Sequence, residues 1–103
     1  MKTQFITELP THWQDTALIF EALGSPVRQR ILLIFDAGEE ITIKQVTELF
    51  SLSRTSIAFH LAVLERAGIL QKRAAGREVF YRLSPTPVVH ALESVLKYIQ
   101  EEI

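Results

Sequence analysis

No cysteine occurs among the 103 residues of the chain. That excludes a disulfide framework, a thiol nucleophile, a thiolate metal site and a thiol redox switch together. Apolar runs approaching the roughly 18 residues of a membrane-spanning helix are also lacking. Met1 to Leu9 is too polar for a signal peptide, so a cytoplasmic location with no membrane partner is expected. Glycine is scarce, at four residues, and none forms a phosphate-cradling loop. With three scattered histidines besides, the chain offers no catalytic constellation and calls for no cofactor. An excess of one charge is missing too. Lys+Arg number 11 and Asp+Glu 12, a net of -1, and that total by itself argues against a nucleic-acid partner.

What is present is ordinary globular material, 48% hydrophobic and 22% charged, in a length that fits one domain over residues 1–103. The mean hydropathy of +0.17 is high for a small soluble monomer, so some apolar surface is expected to be covered by a partner.

Helical periodicity begins at residues 11–23, where apolar residues occupy more than one face: Trp13, Ala17 and Phe20, then Ile19 and Leu23, with Leu18 and Ala22 between. Such a helix needs cover from two sides. Gly24-Ser25-Pro26 supplies a terminator, an N-cap and a first helical residue, and starts a second helix. That helix carries Val27, Ile31, Leu32, Ile34 and Phe35 and is predicted to stop at Ala37-Gly38. Thr42 and Gln45 form a capping box for a short third helix to about Phe50, burying Val46 and Leu49. After the turn Ser51-Leu52-Ser53, Ser53 caps a fourth helix to about Ala67, closed by Gly68. Two helices so closely joined over about 42–67 are the mark of a helix-turn-helix.

Beyond Gly68 the period changes to two. Ile69–Arg73 and Glu78–Leu83 flank a tip of Ala74-Ala75-Gly76-Arg77, which predicts a β-hairpin over about 69–83. Pro85 and Pro87 open a last helix over about 86–102, with Val88, Leu92, Val95, Ile99 and Ile103 in one stripe and Val89 and Leu96 beside it. Four helices, a hairpin and a helix make a mainly α winged helix-turn-helix with an extra helix at each end.

The charge is not evenly spread. Residues 54–82 carry a net of +4, against -3 over 1–53 and -2 over 83–103. The excess coincides with the second helix of the pair and the hairpin, which are the parts that touch DNA in this architecture, although Lys and Arg also simply solvate hairpins. At about 100° per residue, Ile57, Leu61 and Leu64 share the core side of the fourth helix. Thr55, Phe59, Ala62 and Arg66 lie opposite, flanked by Ser56 and Val63.

Phe59 has two readings, packing on a thymine methyl in a major groove or packing under the hairpin or Val63. Ser53, Arg54, Thr55 and Ser56 are placed to reach bases or phosphates, and Arg54 and Arg73 suit phosphate. Arg77, beside Gly76, is the candidate wing contact, with a solvated tip as the alternative. His60, at the edge of the core face, has either a hydrogen-bonding role there or a base contact.

Three segments carry a family likeness. Phe20-Glu-Ala-Leu-Gly-Ser-Pro-Val-Arg-Gln-Arg-Ile-Leu resembles the A-L-x-[DS]-P-x-R-x-x-I-L stretch of ArsR/SmtB-type transcriptional regulators. The run from Ser53 to Ile69 resembles their recognition helix, S-x-x-x-[VI]-S-x-H-L-x-x-L-x-x-A-G-[LI], and Gly76 to Leu83 their wing, G-R-x-x-x-Y-x-L. The likeness covers about residues 18–84.

It implies a homodimer built from the first and last helices, through Trp13, Ala17, Phe20, Leu92, Val95, Leu96 and Ile99, the residues with surplus apolar surface. It implies repression by occupying an inverted-repeat operator in double-stranded DNA. Departures bear on sensing. Thr42 and Lys44 stand where one family metal site has Cys-x-Cys, and a second site would fall near Pro85, Pro87, Tyr98 and Glu101. His90 and Glu93 are one turn apart, two ligands with no third, and read as a surface pair rather than a metal site. Ala58 replaces a usual Ser, which removes one hydroxyl contact. No metal is therefore expected, and no residue indicates the inducer. The competing reading is a winged-helix protein–protein module that no longer binds DNA, with Phe59 as its docking residue.

Overall fold

Each helix begins where the sequence offers its backbone a polar side chain or a proline. In the computed structural model, which describes residues 1–103, α1 spans Thr11–Leu23, α2 Pro26–Leu33, α3 Ile43–Leu49, α4 Arg54–Arg66 and α5 Pro85–Glu102. Ser25 caps α2 by accepting from the Arg28 N–H, and Ser53 caps α4 by accepting from the Ser56 N–H. Thr42 and Gln45 satisfy each other's backbone in a full capping box at α3.

Strands β1 (Ile41–Thr42), β2 (Leu70–Ala75) and β3 (Glu78–Leu83) form an antiparallel sheet in the order β1-β3-β2. The fold is a winged helix-turn-helix of five helices and this small sheet.

The core lies where α4 meets α1, α2, α3 and β2. Ile31, Val46, Ile57, Leu61 and Leu64 are fully buried there, with Ile69, Leu70 and Tyr81 closing the sheet side. Gly68 joins reading helix to wing. The Ile69 N–H donates to the Leu64 carbonyl and the Gly68 N–H to the Glu65 carbonyl, a Schellman ending that requires Gly68 at its observed φ of +81.

Several local expectations are corrected. The strand β1 leaves no mark in the sequence: two residues are too short for an alternation to register, and Ile41 and Thr42 are strand only because they pair with Tyr81 and Phe80. The second helix ends at Leu33 and not near Gly38. Its last turn tightens, with Ile34 and Phe35 N–H groups donating three residues back, while Phe35 still reaches the core.

Leu49 is 67% exposed and not buried, because the chain leaves α3 at once in an extended conformation and Phe50 and Leu52 pack against the core in its place. Val63 is buried and does not flank the outer face of α4. A helix packed on several neighbours is covered over more than half its girth. The hairpin tip shortens to Gly76-Arg77, since Ala75 pairs with Glu78, and Gly76 at φ +61 takes the first corner of a type II′ turn.

Candidate nucleic-acid interface

The outward face of α4 lies open to solvent. Thr55, Phe59, Ala62 and Arg66 are exposed, as are Ser53 and Arg54, while Ser56 is half-buried. Phe59 is 60% exposed, so neither the hairpin nor Val63 covers it, and its only aromatic neighbour is the His60 ring at 5.5 Å. A bare phenylalanine costs hydration free energy that no contact within the chain recovers.

The α4 N-terminus adds a second departure from stability alone. Its first turn holds no acid and begins with Arg54, a cation at the positive end of the helix dipole. Arg54, together with the hydroxyls of Thr55 and Ser56, makes this end a local donor surface suited to an anion.

The basic excess sorts into two groups. Arg73 donates to Glu40 at 3.0 Å and lies over the Phe80 ring, Lys72 is 3.7 Å from Glu65, and Arg82 donates to Gln71 at 2.8 Å. These charges are engaged with Glu40 just before β1, with Glu65 on α4 and with each other's strand as much as they face outward. Arg54, Arg66 and Arg77 make no ion pair or side-chain hydrogen bond in the chain. They mark the two ends of α4 and the wing tip.

His60 is half-buried, and its Nδ1 lies 3.2 Å from an Arg28 guanidinium nitrogen. Partial burial, and after it the Arg28 charge, lowers its pKa. Arg28 stood in the sequence only as part of a motif. Nothing in the local pattern indicates that it reaches α4, 32 positions away.

The other candidate surface is on α1 and α5. Trp13 is half-buried against Tyr98 of the same chain, edge to face at 5.7 Å. Ala17, Phe20, Leu92, Leu96 and Ile99 are exposed and Val95 is half-buried, with Leu96 at 54%. The α1–α5 pair thus uses only part of its apolar girth.

Thr42 is committed to its capping box, Pro85 and Pro87 have no ligand atoms, and within the chain no three His, Asp or Glu side chains come together as a cation site. No helix is long and apolar enough to cross a membrane.

Residues 23–73 match the model of a helix-turn-helix domain family. Over 83 residues the chain is 28% identical to the transcriptional repressor SdpR of Bacillus subtilis, covering 81% of this chain and 91% of that protein. It is 37% identical over 68 residues to the arsenic resistance transcriptional regulator ArsR1 of Pseudomonas putida, covering 66% of this chain but only 53% of that one. A crystal structure of an ArsR family transcriptional regulator superposes with a TM-score of 0.77 at 25% identity, over 90% of this chain and 94% of that chain.

Proposed function

The chain belongs to the ArsR-type winged helix-turn-helix transcriptional regulators, DNA-binding proteins and not enzymes, and from that premise we propose that it acts as a homodimeric repressor of an inverted-repeat operator. The observation that carries the reading is the outward face of α4, with Phe59 bare and Arg54 unpaired at the helix N-terminus. Ser53, Arg54, Thr55 and Ser56 approach the DNA backbone and base edges at the start of α4, and Phe59 takes a thymine methyl. Arg77 reaches phosphate from the wing.

His60 adds a donor at the edge of the same face. Arg73, already paired with Glu40, contributes charge near the backbone. The protein–protein alternative fits this surface poorly, because interface cores are depleted of charge.

Dimerisation through Trp13, Ala17, Phe20, Leu92, Val95, Leu96 and Ile99 covers the apolar α1–α5 surface and sets two copies of α4 in successive major grooves, about 34 Å apart. Repression then follows from occupying a promoter, as the name of the Bacillus subtilis relative suggests. The departures at Thr42, Lys44, Pro85 and Pro87 point to a regulator that senses neither metal nor thiol through the family's usual positions.

Selection of bound fragments from genomic DNA tests the reading. The expected result is one recurring inverted repeat, bound with an affinity that falls steeply with salt. Recovery of random fragments, or binding insensitive to salt, overturns it.

A further inference from the structure

The junction of α1, α2 and α4 is held by one guanidinium. Arg28 on α2 donates from Nε to the Ala22 carbonyl at 2.8 Å and from a terminal nitrogen to the Glu21 carbonyl at 3.0 Å. These carbonyls lie in the last turn of α1, where the helix has no partners of its own and where a positive charge suits the dipole. The other terminal nitrogen lies 3.2 Å from Nδ1 of His60.

A guanidinium has only donors and does not lose its proton. Nδ1 must therefore be the acceptor, and the proton of the neutral imidazole is forced onto Nε2. That second nitrogen has no hydrogen-bond partner in the chain, yet no buried side-chain nitrogen or oxygen is left unpartnered. Nε2 therefore reaches solvent, beside Phe59, on the edge of the reading face.

We propose that Arg28 is a positioning residue for DNA recognition: it ties the end of α1 to α4 and fixes His60 as the tautomer whose outward Nε2–H is a hydrogen-bond donor. On DNA this donor suits an acceptor, either a phosphate oxygen or the purine N7 at the floor of a major groove. The inference rests on the α4 face being the DNA-reading surface, but the tautomer is a property of the free protein.

Long-range 15N–1H correlation spectra of the free protein at neutral pH are the first test. His60 should appear as the single Nε2–H tautomer, whereas His12 and His90, both exposed, serve as references. An Nδ1–H tautomer, or a mixture like the references, overturns the proposal whatever the protein binds. In Arg28→Met the His60 signals should move to a mixture.

The second test is a cycle on the selected operator. His60→Asn keeps an acceptor near Nδ1 but has no group at Nε2, and it should weaken binding by about tenfold, the loss of one hydrogen bond. His60→Gln places an amide donor near Nε2 and should recover part of that loss. Arg28→Met should weaken binding by a similar factor, and the double variant Arg28→Met, His60→Asn by little more than either single change. Fully additive losses, or wild-type affinity in Arg28→Met, overturn it. If Arg28→Met does not fold, the tautomer and the Asn–Gln comparison decide. If the wild type binds no DNA, the functional reading fails while the spectra still decide the tautomer.

Discussion

Arg77 and His60 meet the solvent in different ways, and each makes its own prediction. Arg77 sits in the two-residue turn of the wing with no partner in the chain. If it neutralises one phosphate, Arg77→Ala should lower the slope of log affinity against log salt by about 1 while leaving thermal stability unchanged. An unchanged slope would place the tip away from the DNA backbone.

His60 is held below its ordinary value of 6.5 by partial burial and by Arg28. The unfolded chain therefore takes up a proton that the folded one resists. Stability should be full above about pH 6.5 and decline as the pH falls from there to the lower folded value. Thermal denaturation from neutral to mildly acid pH measures the decline, and His60→Asn, which does not titrate, should flatten part of it. Parallel profiles for the two proteins would contradict the assignment.

Between residue and molecule, the connection from reading helix to wing depends on Gly68. Its φ of +81 is a conformation that costs other L-residues about 1–2 kcal/mol. A Cβ there would stand 3.4 Å from Cγ of Pro87 in the first turn of α5, an ordinary van der Waals contact, so the backbone conformation alone sets the cost. Gly68→Ala should therefore destabilise by about 1–2 kcal/mol in urea denaturation. Gly38, at φ +74 with open space around it, supplies the control with strain but no contact. Gly38→Ala should lose a similar amount, and a much larger loss at Gly68 would show a cost beyond the backbone strain.

At this same scale the sequence is most legible. Ser25, Thr42-Gln45, Ser53 and Gly68 announce their helix ends because caps act through neighbouring backbone atoms. The environments of Leu49 and Val63 are not legible there, because burial depends on which elements arrive at each face.

The chain is more extended than a compact domain of its length. Its radius of gyration is 16.1 Å and its extents 53 × 25 × 23 Å, whereas a compact domain of this size has a radius near 13 Å. Only 16 of 103 residues are buried, while Leu92, Leu96 and Ile99 remain exposed along α5. The proposed second copy would cover these side chains.

Leu96→Glu, which places a charge in that surface, should yield a folded monomer in sedimentation. Its operator affinity should fall by about a hundredfold or more, since the second half-site is then no longer held by linkage to the first. A variant that stays dimeric would move the interface elsewhere.

What the sequence by itself determined is what short-range chemistry can write: the helix caps, the two β runs, the core face of α4 at Ile57, Leu61 and Leu64, and a +4 segment between acidic ends. Absent cysteine equally leaves this chain without a thiol. Tertiary structure decided which charges are free and which are held, because ion pairs such as Arg73–Glu40 join residues 33 positions apart. It also decided that Arg28 binds His60, a contact made when two helices cross. Periodicity records the faces of a helix, and only packing selects what each face meets.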